Sequence, residues 1–351
     1  MPRAYLDHAA TTPLLPAARQ AMTEALERWH NPSSPHAEGR AAKAELEQAR
    51  DRIKQALGWT GAIIFTSGAT EALAIALART KARPRFVSAV EHDAVFRAAP
   101  AAERLPVDGN GLVLLRKQES GSGDRALHAI QHVNNETGVI QPLDRIAAEV
   151  RARGGLLLAD CAQSAGKLVL PDADMIALSA HKFGGPPGIG ALLVRDLDLI
   201  EAFGGQEQGY RPGTQNVPAI VGMAAALEAS RDWLRTATEL RQRLDAAIAG
   251  AGGEIVASES PRIPTIGAYR MRGTASDAQL IQFDMAGIAV SAGSACSSGS
   301  LKPSHVLAAM GWEEAASREV IRVSFGRSTT EAEVDRFAAL WADLAARRRA
   351  A

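Results

Sequence analysis

The segment Ser179-Ala180-His181-Lys182-Phe183-Gly184-Gly185-Pro186-Pro187-Gly188-Ile189-Gly190 sets a lysine between an apolar run, Met175 to Leu178, and a loop rich in Gly and Pro. A second apolar run, Ala191 to Val194, follows. A lysine at the mouth of a sheet, partly removed from water, loses its proton more easily and can form a Schiff base with a carbonyl compound. Taken alone it reads as a surface lysine beside a turn, the commoner case. Two other places bear on the choice. Gly68-Ala69-Thr70-Glu71 lies between a strand-like and a helical run, where backbone N–H groups and the Ser67 and Thr70 hydroxyls suit a phosphate; a plain capped turn would use the same residues. Asp160 closes the run Leu156 to Asp160 and can keep a pyridine nitrogen protonated, so that the ring stores electrons. It would serve equally as a helix N-cap. Gln163, just beyond, is placed to hydrogen-bond a ring hydroxyl.

The chain has two cysteines, Cys161 and Cys296. Cys296 lies in Ser291-Ala292-Gly293-Ser294-Ala295-Cys296-Ser297-Ser298-Gly299-Ser300, small residues that give a thiol little cover. A cysteine there suits a mobile nucleophile, although an unremarkable loop cysteine has the same surroundings. Cys161, beside an apolar strand, reads as buried and inert. So few cysteines exclude a disulfide framework and fit a reducing cytoplasm. No Cys/His spacing suggests a zinc site. The 184–190 loop lacks the Gly spacing and the Lys-Ser/Thr pair of a nucleotide-binding P-loop.

The elements that must position these groups alternate. Ala62 to Thr66, Phe86 to Val90, Leu127 to Val133 and Leu156 to Asp160 read as strands, with helical spacing through Glu71, Leu73 and Leu77 and through Leu143, Ile146, Ala147 and Val150. Such alternation predicts an α/β domain with a mainly parallel sheet, whose ligands sit beyond the carboxyl ends of the strands. Ser67 to Thr70, Glu91-His92, Asn134-Asn135, Asp160 and Ser179 to Lys182 all fall at such ends. A long helical pattern runs from about Thr214 to Ala249, and an α+β section follows. That section closes in a helix with Val334, Phe337, Ala338, Trp341 and Leu344 on one face and a Thr330/Glu333 capping box. The expected division is a large domain over 13–233 and a small domain made of 1–12 and 234–351, which carries the cysteine loop. Residues 116–125, containing Ser120-Gly121-Ser122-Gly123, read as a surface loop.

A chain of 351 residues is long enough for two cores. Its 39 basic and 39 acidic residues leave no net field to favour nucleic acid or a membrane surface. No apolar stretch is long enough to span a bilayer, and the first residues lack a signal peptide's apolar run.

Taken in order along nearly the whole chain, these segments resemble the cysteine desulfurases of the class V aminotransferase-like family, in its NifS/IscS branch. The resemblance runs through Leu6 to Thr12, Asn31 to Ser34, Phe65 to Glu71, Glu91-His92, His132 to Gly138, Asp160 to Gln163, Ser179 to Gly190, Arg211 to Thr214, Ser291 to Ser300 and Ile321 to Ser324. It implies a fold type I transferase that uses pyridoxal 5'-phosphate. Lys182 then resembles the Schiff-base lysine and Asp160 the partner of the pyridine nitrogen. Gln163 and Asn135 are similar to residues that position the ring hydroxyl and the substrate, and His92 to an imidazole stacked on the ring. Ala69, Thr70, Ser179 and His181 match phosphate contacts. Thr214 matches one supplied by the neighbouring subunit, which implies a homodimer. Arg322 resembles the arginine that clamps the substrate carboxylate.

The reaction implied by the resemblance converts L-cysteine to L-alanine. Lys182 shuttles protons, and the Cys296 thiolate takes the sulfur as a persulfide. An acceptor protein that the sequence does not name then receives it, for iron–sulfur cluster assembly or tRNA thiolation. Two alternatives stand beside it: a selenocysteine lyase or other class V lyase or aminotransferase, and a non-catalytic sulfur-pathway binding protein. Transamination needs no thiol, so Cys296 separates the first. The second would be expected to have lost Lys182, Asp160 or Cys296, and all three are present.

Overall fold

The computed structural model describes residues 3–28, 30–115, 125–293 and 303–350. Cys296 and the Ser120-Gly121-Ser122-Gly123 stretch lie outside the described residues.

The apolar runs of the first two-thirds of the chain assemble into one sheet. Its order is Ala62–Thr66, Gly190–Val194, Met175–Ser179, Leu156–Asp160, Leu127–Gln131, Arg85–Ser88 and Glu103–Leu105. Gly190–Val194 runs antiparallel to both neighbours, and every other pairing is parallel. Alternate side chains enter separate cores. Ile63, Phe65, Leu157, Ala159, Ile176 and Leu178 face one. Ile64, Leu156, Leu158, Met175, Ala177 and Leu192 face the other. Helices Pro16–Glu27, Ala37–Leu57, Leu143–Ala152 and Val217–Glu228 contribute to the first core, and Ala69–Arg79 and Asp93–Ala98 to the second. With both faces covered, the strands read as unbroken apolar runs rather than alternating ones.

Ala62–Thr66 and Leu156–Asp160 form strands over the expected spans, while two other strands end earlier than their apolar runs. The one expected over Phe86 to Val90 stops at Ser88, whose hydroxyl turns to the Glu91 carboxyl at 2.6 Å. The one expected over Leu127 to Val133 stops at Gln131, and Val133 forms only an isolated bridge to Ile140. The edge strand Glu103–Leu105 was not anticipated, because its own residues alternate too briefly to register. The helical pattern from Thr214 to Ala249 is two helices, Val217–Glu228 and Trp233–Gly250. Between them Ala229 is extended, the Ser230 hydroxyl donates to Asp232 at 2.6 Å, and Arg327 donates to the Ala229 and Ser230 carbonyls.

The last third of the chain builds an antiparallel sheet ordered Val320–Ser324, Ile266–Arg270 and Glu254–Ile255. Its separate core holds Leu6, Tyr269, Phe283, Phe337 and Trp341. Phe283 and Phe337 stack with ring centres 4.6 Å apart. The closing helix Glu331–Ala350 starts on the expected capping box: Thr330 N–H donates to Glu333 at 2.8 Å, and Glu333 N–H donates back to the Thr330 hydroxyl at 3.3 Å. The N-terminal strand Ala4–Tyr5 pairs in parallel with Ile288–Ala289, so Leu6 joins this core while Ala9 and Ala10 continue toward the large sheet.

Gly190 ties the sheet to the turn that opens helix Ala69–Arg79. It pairs with both Thr66 and Ser179, and a Cβ on it would lie 2.6 Å from Gly68 Cα and closer still to the Leu178 carbonyl oxygen. Both obstacles are backbone. Gly190→Ala is expected to destabilise the protein by about 1–3 kcal/mol and to weaken cofactor retention, read by urea denaturation and by the cofactor's visible absorbance.

Candidate active site

At the carboxyl ends of the parallel strands lies a cavity of about 450 Å³. Ala69, Thr70, His92, Asn135, Asp160, Gln163, Ser179, His181, Lys182 and Arg322 line it. The strand ends bring together residues that are dispersed in the sequence. Two expected residues are not among them. Thr214 is exposed and borders a different cavity, of about 300 Å³, with His30, Asn31 and Asn216. Cys296 lies outside the described residues.

Lys182 follows strand Met175–Ser179 through one tight turn, Ala180–Lys182. Its Nζ donates to the carbonyls of Ala9 at 2.7 Å and Ala10 at 2.9 Å. The Ala9 carbonyl also accepts from Gln163 Nε2 at 2.9 Å. The N-terminal segment is therefore part of the site wall, joining the lysine to the smaller sheet.

Asp160 is buried at its strand end and accepts from the Ala162 N–H at 2.9 Å. Burial raises its pKa, against the pull of that N–H and of nearby His92 and Lys182. A cation placed against this carboxylate would offset its desolvation. His92 opens helix Asp93–Ala98, its Nδ1 accepting from the Ala94 N–H at 3.1 Å. Burial lowers its pKa, so the ring is neutral, with its proton on Nε2. Burial, with Lys182 adding to it, pushes His181 down to about 4.

The cavity has the unsatisfied groups that a phosphorylated pyridine ring needs. The buried Oε1 of Gln163 has no partner. Helix Ala69–Arg79 has no side chain capping its first N–H groups, which is the arrangement that binds phosphate. Ser179 Oγ sits beside that turn, 3.4 Å from where a Cβ on Gly68 would lie. The acid at Asp160 and the amine at Lys182 complete a donor set that fits pyridoxal phosphate.

Several neighbours were not anticipated. Arg322 donates from Nη2 to the Asp7 carboxylate at 2.8 Å and from Nη1 to the Asn135 carbonyl at 2.9 Å, and its buried Nε has no partner. Asp7 lies in the Leu6 to Thr12 segment, where nothing local ties it to Arg322. Lys167 is buried, and burial together with Lys182 pushes its pKa down to about 7. His8 is buried and pushed down to about 4 by that burial and then by Lys167. Cys161 is buried as expected, with its thiol pKa raised by desolvation.

Glu91 lies behind His92, fully buried. Its Oε1 accepts from the Ser88 hydroxyl at 2.6 Å and the Gln131 N–H at 2.8 Å, while Oε2 has no partner. Desolvation lifts its pKa from 4.5 to about 8. The folded protein thus keeps a proton there that the unfolded chain has released. This group's contribution to stability is full below the unfolded value and is lost as pH rises through the folded one. Glu91→Gln carries no charge at any pH. Its melting temperature is expected to fall less than that of the wild type between about pH 5 and about pH 8; parallel falls in thermal denaturation would contradict the buried neutral acid.

The aminotransferase class-V family profile matches residues 4–337. A curated cysteine desulfurase from Cereibacter sphaeroides is 37% identical, covering 96% of this chain and 94% of its own length. An IscS-like cysteine desulfurase from Mycobacterium tuberculosis is also 37% identical, over 95% of this chain and 93% of its own. Among solved structures, a NifS-like protein from Rickettsia africae superposes with a TM-score of 0.89 at 28% identity, covering 97% of this chain and 99% of that one. A structure of SspA in complex with cysteine gives 0.80 at 29% identity, over 93% and 100%. With the profile spanning almost every element and ten of the expected residues lining one cavity, this chain belongs to the class-V aminotransferase family, whose members work with pyridoxal phosphate.

Proposed function

We propose that the protein is a cysteine desulfurase, converting L-cysteine to L-alanine and collecting the sulfur on Cys296. What carries the proposal is the convergence of Lys182, Asp160, His92 and Arg322 on one cavity, in a chain 37% identical over nearly its full length to a curated cysteine desulfurase. The assigned roles are those the groups can perform where they stand. Bound there, pyridoxal phosphate supplies an electron sink for charge developing on the substrate. Asp160 would hold a proton at the ring nitrogen, and the neutral His92 ring offers a flat face for stacking. Gln163 Oε1 would accept from the ring hydroxyl. Ala69, Thr70, Ser179 and His181 would hold the phosphate.

Arg322, with Asn135 beside it, would bind the substrate carboxylate, Nε being the donor left open beside the Asp7 pair. The Lys182 amine would move protons at the substrate's α- and β-carbons. The Cys296 thiolate attacks the substrate sulfur. A sulfur–sulfur bond forms as the carbon–sulfur bond breaks, its electron pair staying with carbon, which takes a proton to give alanine. The exposure of Thr214, away from the cavity of its own chain, supports a homodimer in which it serves the neighbouring site. None of the described helices is long and apolar enough to cross a membrane. We assign the protein to the cytoplasm, where it would hand sulfur to an acceptor in iron–sulfur cluster assembly or tRNA thiolation.

Two variants test the assignment. Lys182→Ala is expected to lose the visible absorbance of the bound cofactor and cysteine-dependent alanine formation together. Cys296→Ala is expected to keep that absorbance and lose sulfide release under reducing conditions by roughly 100-fold or more. Sulfide production persisting in Cys296→Ala would overturn the nucleophile.

A further inference from the structure

Two glutamates, each next in sequence to a proposed site residue, hold the chain immediately beyond the cysteine segment. Glu136 follows Asn135, is buried, and accepts at Oε2 from the Ser304 hydroxyl at 2.5 Å. Ser304 is buried too and caps helix His305–Ala309, its Oγ accepting from the Leu307 N–H at 3.1 Å. Glu91 precedes His92, and its backbone carbonyl accepts from His305 Nε2 at 2.8 Å. The His305 ring meets Phe96 edge-on, 5.5 Å between centres, and Phe96 belongs to the helix that His92 opens.

On the other flank, Ser291 exchanges backbone hydrogen bonds of 2.7 and 3.1 Å with Arg322. Gly293 comes near the same carboxyl: a Cβ on it would lie 3.6 Å from Ser304 Cβ and 3.9 Å from Glu136 Oε2. Both flanks therefore close on neighbours of the groups assigned to substrate and cofactor. Glu136 itself does not line the cavity. Its carboxyl is desolvated, which makes a short hydrogen bond to a buried hydroxyl strong and directional.

We infer that Glu136 is a positioning residue for sulfur transfer: through Ser304 it fixes the start of helix His305–Ala309, and so the reach of Cys296 to the substrate, without touching substrate or cofactor. The inference rests on the proposed function and deepens it. Substrate binding at the cofactor does not need the thiol, so binding and transfer can be read separately.

The test compares the wild-type holoenzyme with Glu136→Ala, Glu136→Gln and Ser304→Ala, each in a single turnover with L-cysteine. The absorbance change on mixing reports substrate binding. The rate of alanine formation, with mass spectrometry of the persulfide on Cys296, reports transfer. Glu136→Gln keeps an oxygen that can accept from Ser304 and is expected to stay within about two-fold of the wild type. Glu136→Ala and Ser304→Ala are expected to slow transfer roughly 10- to 100-fold, with the absorbance change keeping its amplitude and its dependence on cysteine concentration. Unchanged transfer in those two variants, or transfer falling in step with binding, would overturn the positioning role. A wild-type protein that gives the absorbance change yet forms no alanine would instead overturn the proposed function, and the positioning role with it.

Discussion

A strand covered on both faces carries few polar side chains before it ends, because burying one without a partner is costly. In the large sheet, Leu156 to Ala159 and Met175 to Leu178 are wholly buried, and the first ionisable groups beyond them are Asp160 at one strand's end and His181 and Lys182 in the turn after the other. Neighbouring parallel strands finish level with one another, as the pairing of Gln131 with Asp160 illustrates. Chemistry is thereby confined to one rim of the sheet. The antiparallel strand Gly190–Val194 begins at that rim, and its glycine lets the turn that opens helix Ala69–Arg79 approach the Lys182 strand.

Along that rim, burial moves several ionisable groups toward their neutral forms. Burial raises the pKa of Glu91 and Asp160 and lowers that of Lys167, His8, His92 and His181. Such a chamber holds a charge well only when a partner of opposite sign arrives with it. A ring with a protonated nitrogen and a phosphate would bring a cation to Asp160 and an anion to the start of helix Ala69–Arg79. The desolvation cost of these groups is then offset on binding, and the bound group is oriented by the same contacts.

The smaller sheet contributes by proximity rather than by bulk. Strand Val320–Ser324 carries Arg322 to the cavity, and the N-terminal segment brings Asp7 to that arginine and the Ala9 and Ala10 carbonyls to Lys182. The Ser291 pairing and the Glu136–Ser304 bond hold the described residues on either side of the cysteine segment at the same places. The group proposed for substrate recognition and the flanks of the proposed nucleophile's segment thus share supports.

The sequence by itself determined the strands of the large sheet other than the edge strand Glu103–Leu105, the motifs at their ends, the capping box at Thr330 and the inert Cys161, because each depends on a short stretch of chain and its period. It also singled out ten residues that line the cavity, since motif residues at the ends of parallel strands have only one rim to occupy. Only the tertiary structure decided that Asp7 pairs with Arg322, that Lys182 rests on the carbonyls of Ala9 and Ala10, and that Glu136 meets Ser304. It alone revealed the break after Glu228, fixed in part by Arg327 from far along the chain, and the burial of Lys167 beside Lys182. These contacts join residues tens to hundreds of positions apart. Their strength comes from exclusion of water at the place where they meet, which no local pattern of residues records.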